Sequence, residues 1–358
     1  MSGDLKGLIL SGGAGTRLRP ITHTSAKQLV PVANKPVLFY GIEALVEAGI
    51  DQIGIIIAPG TGDEIRSAVG DGKAFGAKVT YIVQEEPLGL AHAMLTAADF
   101  LDDSPFVMYL GDNLLRDGIV DLVDAFRSQE PEALILLTPV DDPSSYGVAE
   151  LDGDRVVRLV EKPDDPPSDL ALVGVYMFSS SIQEAARTIE PSDRGELEIT
   201  DAIQKLIGDG AEVSAHRVKG WWKDTGRLED MLEANRLVLE DLESRVEGEL
   251  VESDIDGRVV IEEGALLERT VVKGPAVIAA GAKLSDAYVG PYTSIGPGVV
   301  ISDSEVEYSI LLADSRISNL GTRMERSLLG RDVVIVGGTE RPKALQFLVG
   351  DHAEITMP

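Results

Sequence analysis

Polar residues that could bind phosphates follow three predicted strands in the first third of the chain. The first group is the glycine-rich loop Gly12–Pro20, which directly follows the apolar run Leu5–Leu10. Its glycines let backbone N–H groups approach a phosphate closely, and Arg17 adds a guanidinium that can bind two oxygens. The loop has neither the lysine of a P-loop nor the third glycine of a dinucleotide-binding fingerprint. It therefore predicts a phosphate site of a different kind.

Two further polar groups end predicted strands and should lie beside this loop. Gln84 ends the run Val79–Gln84, and its amide could bind the edge of a nucleobase. Asp112 and Asn113 follow the run Phe106–Leu110. Because ligands bind beyond the carboxyl ends of parallel strands, we expect all three groups on one rim of a sheet.

Asp112 and Asp224 are the candidate ligands for Mg²⁺, which prefers carboxylate oxygens and keeps contacts with water and substrate phosphates. Each residue also has a simpler interpretation as the N-cap of a helix, Asp224 for a helix predicted to begin near Arg227. The residues alone leave both interpretations open.

Residues near Glu161 and Arg194 form a second candidate anion site. Lys162 could bind a phosphate while Glu161 accepts hydrogen bonds from sugar hydroxyls, and a solvated ion pair is the alternative interpretation. Arg194 precedes a predicted helix, whose N-terminus favours anions. The chain has no cysteine and no serine in a nucleophile elbow, so covalent catalysis has no candidate residue. The candidate phosphate-binding and metal-binding residues together favour in-line transfer at phosphorus, in which positioning and charge stabilisation supply most of the catalysis.

The elements that must position these residues alternate between strands and helices up to about residue 225. Strand-like runs are Leu5–Leu10, Ile53–Ala58, Val79–Gln84, Phe106–Leu110, Ala133–Val140 and Leu172–Phe178, with a hairpin over Tyr146–Leu151 and Arg155–Glu161. Helical patterns cover Lys35–Ala48, Gly62–Val69, Leu90–Phe100, Gly118–Ser128 and Arg227–Leu242. This alternation predicts an α/β fold with a mostly parallel mixed sheet.

The pattern changes after about residue 250, where long helical patterns end. Glu307–Leu311 recurs eighteen residues later as Glu325–Leu329. Aliphatic residues recur every six positions, with Ala265 and Lys283 as imperfect members, at Val259, Val271, Val277, Val289, Ile295 and Ile301. Three six-residue steps make one turn of a triangular β-solenoid, which we prefer to a β-sandwich with coincidental spacing.

Composition describes a soluble protein of two domains, with 358 residues, 44% hydrophobic and 26% charged. A net charge of −28 argues against binding to nucleic acid or to an anionic membrane surface, and no apolar run is long enough to span a membrane. The absence of cysteine and of an N-terminal signal sequence predicts a cytoplasmic enzyme. The acidity suggests a salt-rich cytoplasm. The first fifty residues nevertheless carry five lysines and arginines against three acids, which suggests a local anion site.

Taken together, the motifs resemble the sugar-nucleotide pyrophosphorylases, and among them the glucose-1-phosphate thymidylyltransferases. The matching segments are Gly12–Pro20, Lys27–Pro31, Asn34–Pro36, Gln84–Ala91, Leu110–Asn113, Tyr146–Val148, Glu161–Pro163 and Arg194–Asp201. The resemblance implies a Rossmann-like nucleotidyltransferase domain over residues 1–245, and a left-handed parallel β-helix over 246–358 as in the long-form members.

The resemblance also implies that the substrates are dTTP and glucose 1-phosphate and that Mg²⁺ is the cofactor. The implied nucleotide-binding residues are Gly12, Gly13, Arg17, Lys27, Gln28, Gln84, Pro87, Gly89 and Asp112. The implied sugar-phosphate-binding residues are Asn113, Gly147, Glu161, Lys162, Val173, Tyr176 and Arg194. The implied catalytic residues are Arg17, Lys27, Asp112, Lys162 and Asp224, with Asp112 and Asp224 as the metal ligands.

Departures from the family pattern leave alternatives open. Leu88 and His92 stand where short-form members often have Asp and Gln, which puts the detail of the base pocket in doubt. His352 is the only histidine in the C-terminal region, so we expect that region to be structural or to form a homo-oligomer. The alternatives are uridylyl or guanylyl transfer to another hexose 1-phosphate, or a catalytically silent relative that binds sugar nucleotides. The combined presence of the five implied catalytic residues favours an enzyme.

Overall fold

The computed structural model describes residues 4–13, 15–23 and 25–338. Contacts between residues divide the chain into two compact units. The N-terminal unit comprises the described residues of 1–15, 25–30 and 36–225, and the C-terminal unit comprises those of 16–24, 31–35 and 226–358. His352 lies outside the described residues.

The first 225 residues alternate strands and helices, as the sequence predicted. The strands are β1 (Lys6–Ser11), β2 (Pro31–Val32), β3 (Lys35–Pro36), β4 (Gln52–Ile57), β5 (Lys78–Val83), β6 (Phe106–Leu110), β7 (Asn113–Leu115), β8 (Ala133–Pro139), β9 (Gly147–Asp152), β10 (Arg155–Glu161), β11 (Leu170–Phe178), β12 (Val213–Arg217) and β13 (Trp222–Asp224). The helices are α1 (Val37–Glu47), α2 (Gly62–Val69), α3 (Leu90–Thr96), α4 (Ala98–Leu101), α5 (Val120–Gln129), α6 (Ser181–Thr188) and α7 (Ile199–Gly208), and α8 (Leu228–Glu240) follows.

One nine-stranded sheet forms the centre of the N-terminal unit, in the order β5-β4-β1-β6-β11-β8-β12-β10-β9. The first four strands are parallel to one another, β11 is antiparallel to both of its neighbours, and β12 is parallel to β8. Alternate residues of a strand enter different cores: Leu8 and Met108 belong to one cluster, Ile9 and Val107 to the other. Because both faces are covered, the central strands are continuously apolar.

The parallel half of this sheet brings the predicted polar groups to one edge. β1 ends at Ser11, directly before Gly12. β5 ends at Val83, directly before Gln84, and β6 ends at Leu110, just before Asp112. The three strands run in one direction, with β4 between β5 and β1. The expected common rim is confirmed. Four elements of this unit were not predicted: the short helix α6 and the strands β7, β12 and β13.

The C-terminal unit contains three stacks of parallel strands, as the predicted β-solenoid requires. Its strands are β14 (Arg245–Val246), β15 (Glu249–Val251), β16 (Asp254–Asp256), β17 (Val259–Ile261), β18 (Leu266–Glu268), β19 (Val271–Lys273), β20 (Ala276–Ile278), β21 (Lys283–Val289), β22 (Thr293–Ile295), β23 (Val300–Glu307), β24 (Ile310–Leu311), β25 (Arg316–Ser318), β26 (Met324–Glu325), β27 (Leu328–Leu329) and β28 (Val334–Val336). One stack runs β14-β17-β20-β22-β24-β27, the second runs β15-β18-β21-β23-β25-β28, and the third joins β16, β19, β21, β23 and β26.

The constant six-residue step predicted for these stacks is wrong. Leu267 pairs with Leu284, and Leu284 with Ile301, so one coil takes seventeen residues rather than eighteen over this part of the chain. The eighteen-residue spacing holds only for the last coils, where Ile310 pairs with Leu328. A constant step of six drifts off the inward-facing positions, and this is why Val271 is 37% exposed and Lys283 is exposed as well.

The turn between β2 and β3 packs within the C-terminal unit. The N–H of Ala33 donates to Asn235 Oδ1 (2.8 Å), and Asn34 Nδ2 donates to the carbonyl oxygen of Ile295 (2.7 Å). Asn235 is fully buried, and its Oδ1 also accepts from Ser294 Oγ (2.7 Å). A buried side-chain amide needs such partners, so this turn, α8 and the first stack are fixed together by hydrogen bonds.

Candidate active site

An open cavity of about 240 Å³ lies at the carboxyl edge of the parallel strands. It is lined by Leu10, Gly12, Gly13, Gln28, Gln84, Pro87, Gly89, Leu90, Ala93, Leu110, Asp112 and Glu196. Seven of these are predicted nucleotide-binding residues: Gly12, Gly13, Gln28, Gln84, Pro87, Gly89 and Asp112. They come from four separate segments. Six of the seven follow the ends of β1, β5 and β6, which the sheet aligns, and Gln28 lies on the 3₁₀ turn Lys27–Leu29.

Lys27 lies between the two predicted metal ligands. It is buried on the short 3₁₀ turn Lys27–Leu29, where its Nζ donates to Asp112 Oδ2 and lies 3.9 Å from Asp224 Oδ1. A buried ammonium requires such counter-charges. Asp224 reaches this position because β13 pairs with β7, which places it opposite Asn113.

The helix-cap interpretation is wrong for both aspartates. Asp112 is followed by the strand β7 and not by a helix. Asp224 is the last residue of β13, and the N-cap of α8 is Arg227, which makes no capping side-chain hydrogen bond. Neither carboxylate therefore serves as a helix cap, and Asp112 lines the cavity.

Hydrogen bonds hold the loop that carries Asp112. Asn113 Nδ2 donates to Asp112 Oδ1 (2.9 Å), and Asn113 Oδ1 accepts from Trp222 Nε1 (2.6 Å). The backbone N–H and the hydroxyl of Thr225 both donate to the carbonyl oxygen of Asp112 (3.0 and 2.8 Å). Asn113 is thus buried and engaged in orienting the Asp112 carboxylate.

The chemistry of this pair fits a divalent cation. Both carboxylates approach one Lys27 nitrogen, so they converge on a position that already holds positive charge. Mg²⁺ is bound in proteins by one or two carboxylates together with substrate phosphates and water. Among the described residues no group of three or more His, Asp or Glu side chains could hold a metal, so Asp112 and Asp224 would share the ion with phosphate oxygens.

Gln84 and Gln28 supply the amides of the cavity. Gln84 Nε2 lies 2.9 Å from His92 Nδ1 and donates to the carbonyl oxygen of Gly89 at 3.4 Å. Gln28 is 3% exposed, and its Oε1 is buried with no hydrogen-bond partner in the described part of the chain. A buried amide oxygen without a partner is costly, so a donor on a bound ligand would stabilise it.

Gly89 is required by a close approach of two loops. It has φ +106°, and a Cβ here would lie 2.4 Å from the carbonyl oxygen of Leu197. The two loops exchange backbone hydrogen bonds, Leu197 N–H to Leu88 (2.8 Å) and Ala91 N–H to Leu197 (3.0 Å). The loop that lines the cavity is thereby connected to the loop of Arg194.

The second candidate anion site is centred on Glu161. Its Oε1 lies 3.2 Å from Arg194 and 3.5 Å from Lys162, and its Oε2 accepts from Thr200 Oγ1 at 3.2 Å. Gly147 lies against it, where a Cβ would come within 3.3 Å of Glu161 Oε2. Lys162 is half exposed. It forms the solvent-exposed ion pair with Glu161 that was the alternative interpretation.

Acidic residues surround Arg194 in this site. Glu198, which is almost fully buried, accepts from Arg194 at 2.7 Å. Burial, and then the charges of Glu198 and Glu161, raise the pKa of Asp201. The single guanidinium therefore balances several carboxylates, and a bound phosphate would compete with them for it.

Three predicted residues occupy other environments. The side chain of Val173 is fully buried in a hydrophobic core, so its predicted contact with the sugar would have to come from the backbone. Tyr176 is buried, and burial followed by the charge of Glu161 raises the pKa of its hydroxyl. Arg17 is exposed on the 3₁₀ turn Thr16–Leu18, within the C-terminal unit.

Sequence reasoning missed Glu196 and Thr200 as neighbours of the predicted residues, and it noted His92 only as a departure in the base pocket, without its contact with Gln84. Glu196 and Thr200 lie inside the motif Arg194–Asp201, in which only Arg194 was predicted to bind a ligand. His92 follows Gln84 by eight residues on α3, whose first turn returns to the end of β5. The position of His92 shortly after a predicted strand end was the signal that could have indicated its contact with Gln84.

Residues 6–241 match the family model described as nucleotidyl transferase. The chain belongs to this family. It is 56% identical over 354 residues to a glucose-1-phosphate thymidylyltransferase from Streptomyces antibioticus, which covers 98% of this chain and 99% of that relative. It is 49% identical over 358 residues to a low-salt glycan biosynthesis nucleotidyltransferase from Haloferax volcanii, which covers 99% of this chain and all of the relative.

A solved structure from Bacillus anthracis, assigned as a glucose-1-phosphate thymidylyltransferase and crystallised with sucrose, is also similar. It has a TM-score of 0.63 and 35% identity, over 68% of this chain and 98% of that chain. The motif resemblance is confirmed, and the protein is a nucleotidyltransferase related to glucose-1-phosphate thymidylyltransferases.

Proposed function

We propose that this nucleotidyltransferase transfers the thymidylyl group of dTTP to glucose 1-phosphate, giving dTDP-glucose and pyrophosphate. The observation that carries the proposal is the single cavity in which the glycine loop, two amides and Asp112 meet. The relatives with this enzyme name cover nearly the whole chain and support the same substrates.

The reaction is an in-line displacement at the α-phosphorus of dTTP. A phosphate oxygen of glucose 1-phosphate forms the new P–O bond, the bond to the bridging oxygen breaks, and pyrophosphate leaves with the electron pair. Lys27 and Arg17 stabilise the charge that develops on the phosphoryl oxygens. Asp112 and Asp224 would hold Mg²⁺, which when bound neutralises phosphate charge.

The nucleotide binds along the rim of the sheet. Backbone N–H groups at Gly12 and Gly13 hold the triphosphate, and Gln28 supplies a buried amide beside them. Gln84 binds the thymine edge, with Pro87 and Gly89 shaping the loop around the base.

Glucose 1-phosphate binds at the second anion site. Glu161 accepts hydrogen bonds from sugar hydroxyls, and the absence of a side chain at Gly147 leaves room beside it. Lys162 and Arg194 bind the phosphate. Tyr176, Asn113 and the backbone of Val173 complete the sugar side. The proposed sugar-phosphate-binding residues are thus Gly147, Glu161, Lys162, Val173, Tyr176, Arg194 and Asn113.

UTP is a second candidate nucleotide, and a specific feature favours it. The amide of Gln84 can make the same contacts with uracil, and only apolar walls such as Leu10 and Leu110 can distinguish the methyl group of thymine. Apolar contact of this kind discriminates one methyl group by about 1–3 kcal/mol. A uridylyltransferase from Haloferax volcanii is 37% identical over 240 residues.

We extend the proposal to the organisation of the chain. Residues 1–245 form the nucleotidyltransferase domain, and residues 246–358 wind as a left-handed β-helix that supports a homo-oligomer in the cytoplasm. The parallel stacks and their common register are what a β-helix needs. No helix in the described ranges is long and apolar enough to cross a membrane.

A pyrophosphate-release assay tests the reaction. Purified protein with Mg²⁺ is given dTTP, UTP, GTP or CTP and a set of sugar 1-phosphates. Pyrophosphate release is expected to be fastest with dTTP and glucose 1-phosphate. No release with that pair would refute the proposal. Asp112→Asn should abolish turnover while circular dichroism stays unchanged, and the size of a variant ending at residue 245 tests whether the β-helix forms the oligomer.

A further inference from the structure

The hydrogen bonds of Gln84 determine which of its amide atoms faces the cavity. Its side chain is 8% exposed, and its Nε2 donates to the carbonyl oxygen of Gly89 at 3.4 Å. Because a carbonyl oxygen can only accept, this contact identifies the nitrogen end of the amide. Oε1 therefore points the other way, 3.2 Å from the position of a Cβ on Gly12, among the residues that line the cavity.

His92 completes this arrangement. Its Nδ1 lies 2.9 Å from Gln84 Nε2, which has a second proton to donate. The imidazole can accept that proton only when Nδ1 carries none, so the neutral ring with its proton on Nε2 is the form that fits. The contact with Gly89 is long, so His92 supplies the better of the two partners that hold the amide in one orientation.

We propose that His92 is a positioning residue that sets nucleobase selectivity by holding Gln84 with Oε1 toward the cavity. The inference rests on the proposed function, in which Gln84 binds the base. An oxygen at this position accepts from a ring N–H, which thymine and uracil carry at N3. Cytosine has a lone pair at N3, which an amide oxygen repels. Without His92 the amide can turn by 180° and offer Nε2–H to cytosine.

Steady-state pyrophosphate release with dTTP and with CTP, at saturating glucose 1-phosphate, measures this effect. His92→Phe keeps a ring but removes the acceptor, and the ratio of kcat/KM for dTTP over CTP should fall at least about tenfold. His92→Asn should keep the ratio within about threefold of the unmodified protein, because its Oδ1 can accept where Nδ1 did. Thr96→Val is the matched control on α3, since Thr96 Oγ1 donates only to the backbone oxygen of His92.

The outcomes separate this inference from the proposed function. An unmodified protein that is inactive with dTTP refutes the proposed function, whereas an active protein whose dTTP-to-CTP ratio is unchanged in His92→Phe overturns the role of His92. If turnover is absent, equilibrium binding of dTTP and CTP to the same variants decides. A dTTP-to-CTP affinity ratio that is the same in His92→Phe and in the unmodified protein overturns the inference. If His92→Phe does not fold, ¹⁵N NMR of the four histidines in the unmodified protein decides, because a protonated Nδ1 on His92 contradicts the proposal.

Discussion

Replacement of Lys27 by methionine removes the ammonium that lies between the two carboxylates of the candidate metal site. Methionine keeps most of the length and the apolar stem of the side chain, so the change is chiefly one of charge. Lys27 is 8% exposed, and the side chains of Asp112 and Asp224 are 23% and 32% exposed. The variant leaves two adjacent, partly buried carboxylates without the ammonium of Lys27.

The expected loss of stability follows from that burial. Removal of one partner of a fully buried ion pair costs about 3–5 kcal/mol of unfolding free energy, and the partial exposure of both aspartates reduces this to about 2 kcal/mol. For a unit of this size that corresponds to a fall in Tm of roughly 4–8 °C. Mg²⁺ should restore part of the loss, because the cation replaces the missing charge between the carboxylates. Turnover should fall about 10²–10³-fold, the effect of losing one group that stabilises transition-state charge.

Thermal unfolding with and without Mg²⁺, together with pyrophosphate release, measures these effects. The matched control is Lys219→Met, because Lys219 and Asp121 also form an ion pair (2.6 Å) but are both exposed. That variant should unfold and turn over like the unmodified protein, since exposed pairs add little stability. A Lys27→Met variant with an unchanged Tm without metal and undiminished turnover would refute the reasoning about this site.

Three further variants test neighbouring features. Lys162→Ala should raise KM for glucose 1-phosphate at least about tenfold with little change in KM for dTTP. A KM for glucose 1-phosphate equal to that of the unmodified protein would exclude a role of Lys162 in binding the sugar phosphate. Gly89→Ala should destabilise the protein by about 1–3 kcal/mol in thermal unfolding, because its Cβ would meet Leu197, whereas Gly153→Ala, with positive φ but open space, should cost less. Asp201→Asn should raise Tm at pH 7.5: the raised pKa means that the native state binds this proton more tightly, so stability falls as the carboxyl ionises. That gain should vanish once pH is below the ordinary value of 3.8, and a gain that persists there would contradict the assignment.

The rim of the active site could be predicted because it depends only on the direction of strands. An apolar run followed by a polar residue marks a strand end, and parallel strands align those ends whatever the intervening sequence. This reasoning placed Gly12, Gln84 and Asp112 together correctly. Asp224 was predicted only as a second candidate carboxylate. Strand ends could not show how it reaches the site, because the pairing of β13 with β7 joins segments about one hundred residues apart.

The contacts that refine the site could not be predicted in this way. The approach of His92 to Gln84 depends on the rotation of α3 after a loop, and Val173 is buried because both faces of β11 are covered. The period of the C-terminal stacks fails for a related reason. A difference of one residue per coil leaves each strand apolar, yet it accumulates along the sequence and turns Val271 outward.

Domain boundaries drawn from sequence order miss a different kind of contact. Residues 31–35 precede the predicted β-helix by more than two hundred positions, yet they group with the C-terminal unit through Asn235 and Ile295. A chain cut after residue 245 would lose Tyr292 and Ser294, which are two of the hydrogen-bond partners of the Asn235 amide. Unsatisfied buried amides cost about 1–3 kcal/mol each. The truncation that tests oligomer formation therefore also disturbs the turn between β2 and β3, which follows the 3₁₀ turn of Lys27, and Asn235→Ala in the full chain separates the two effects.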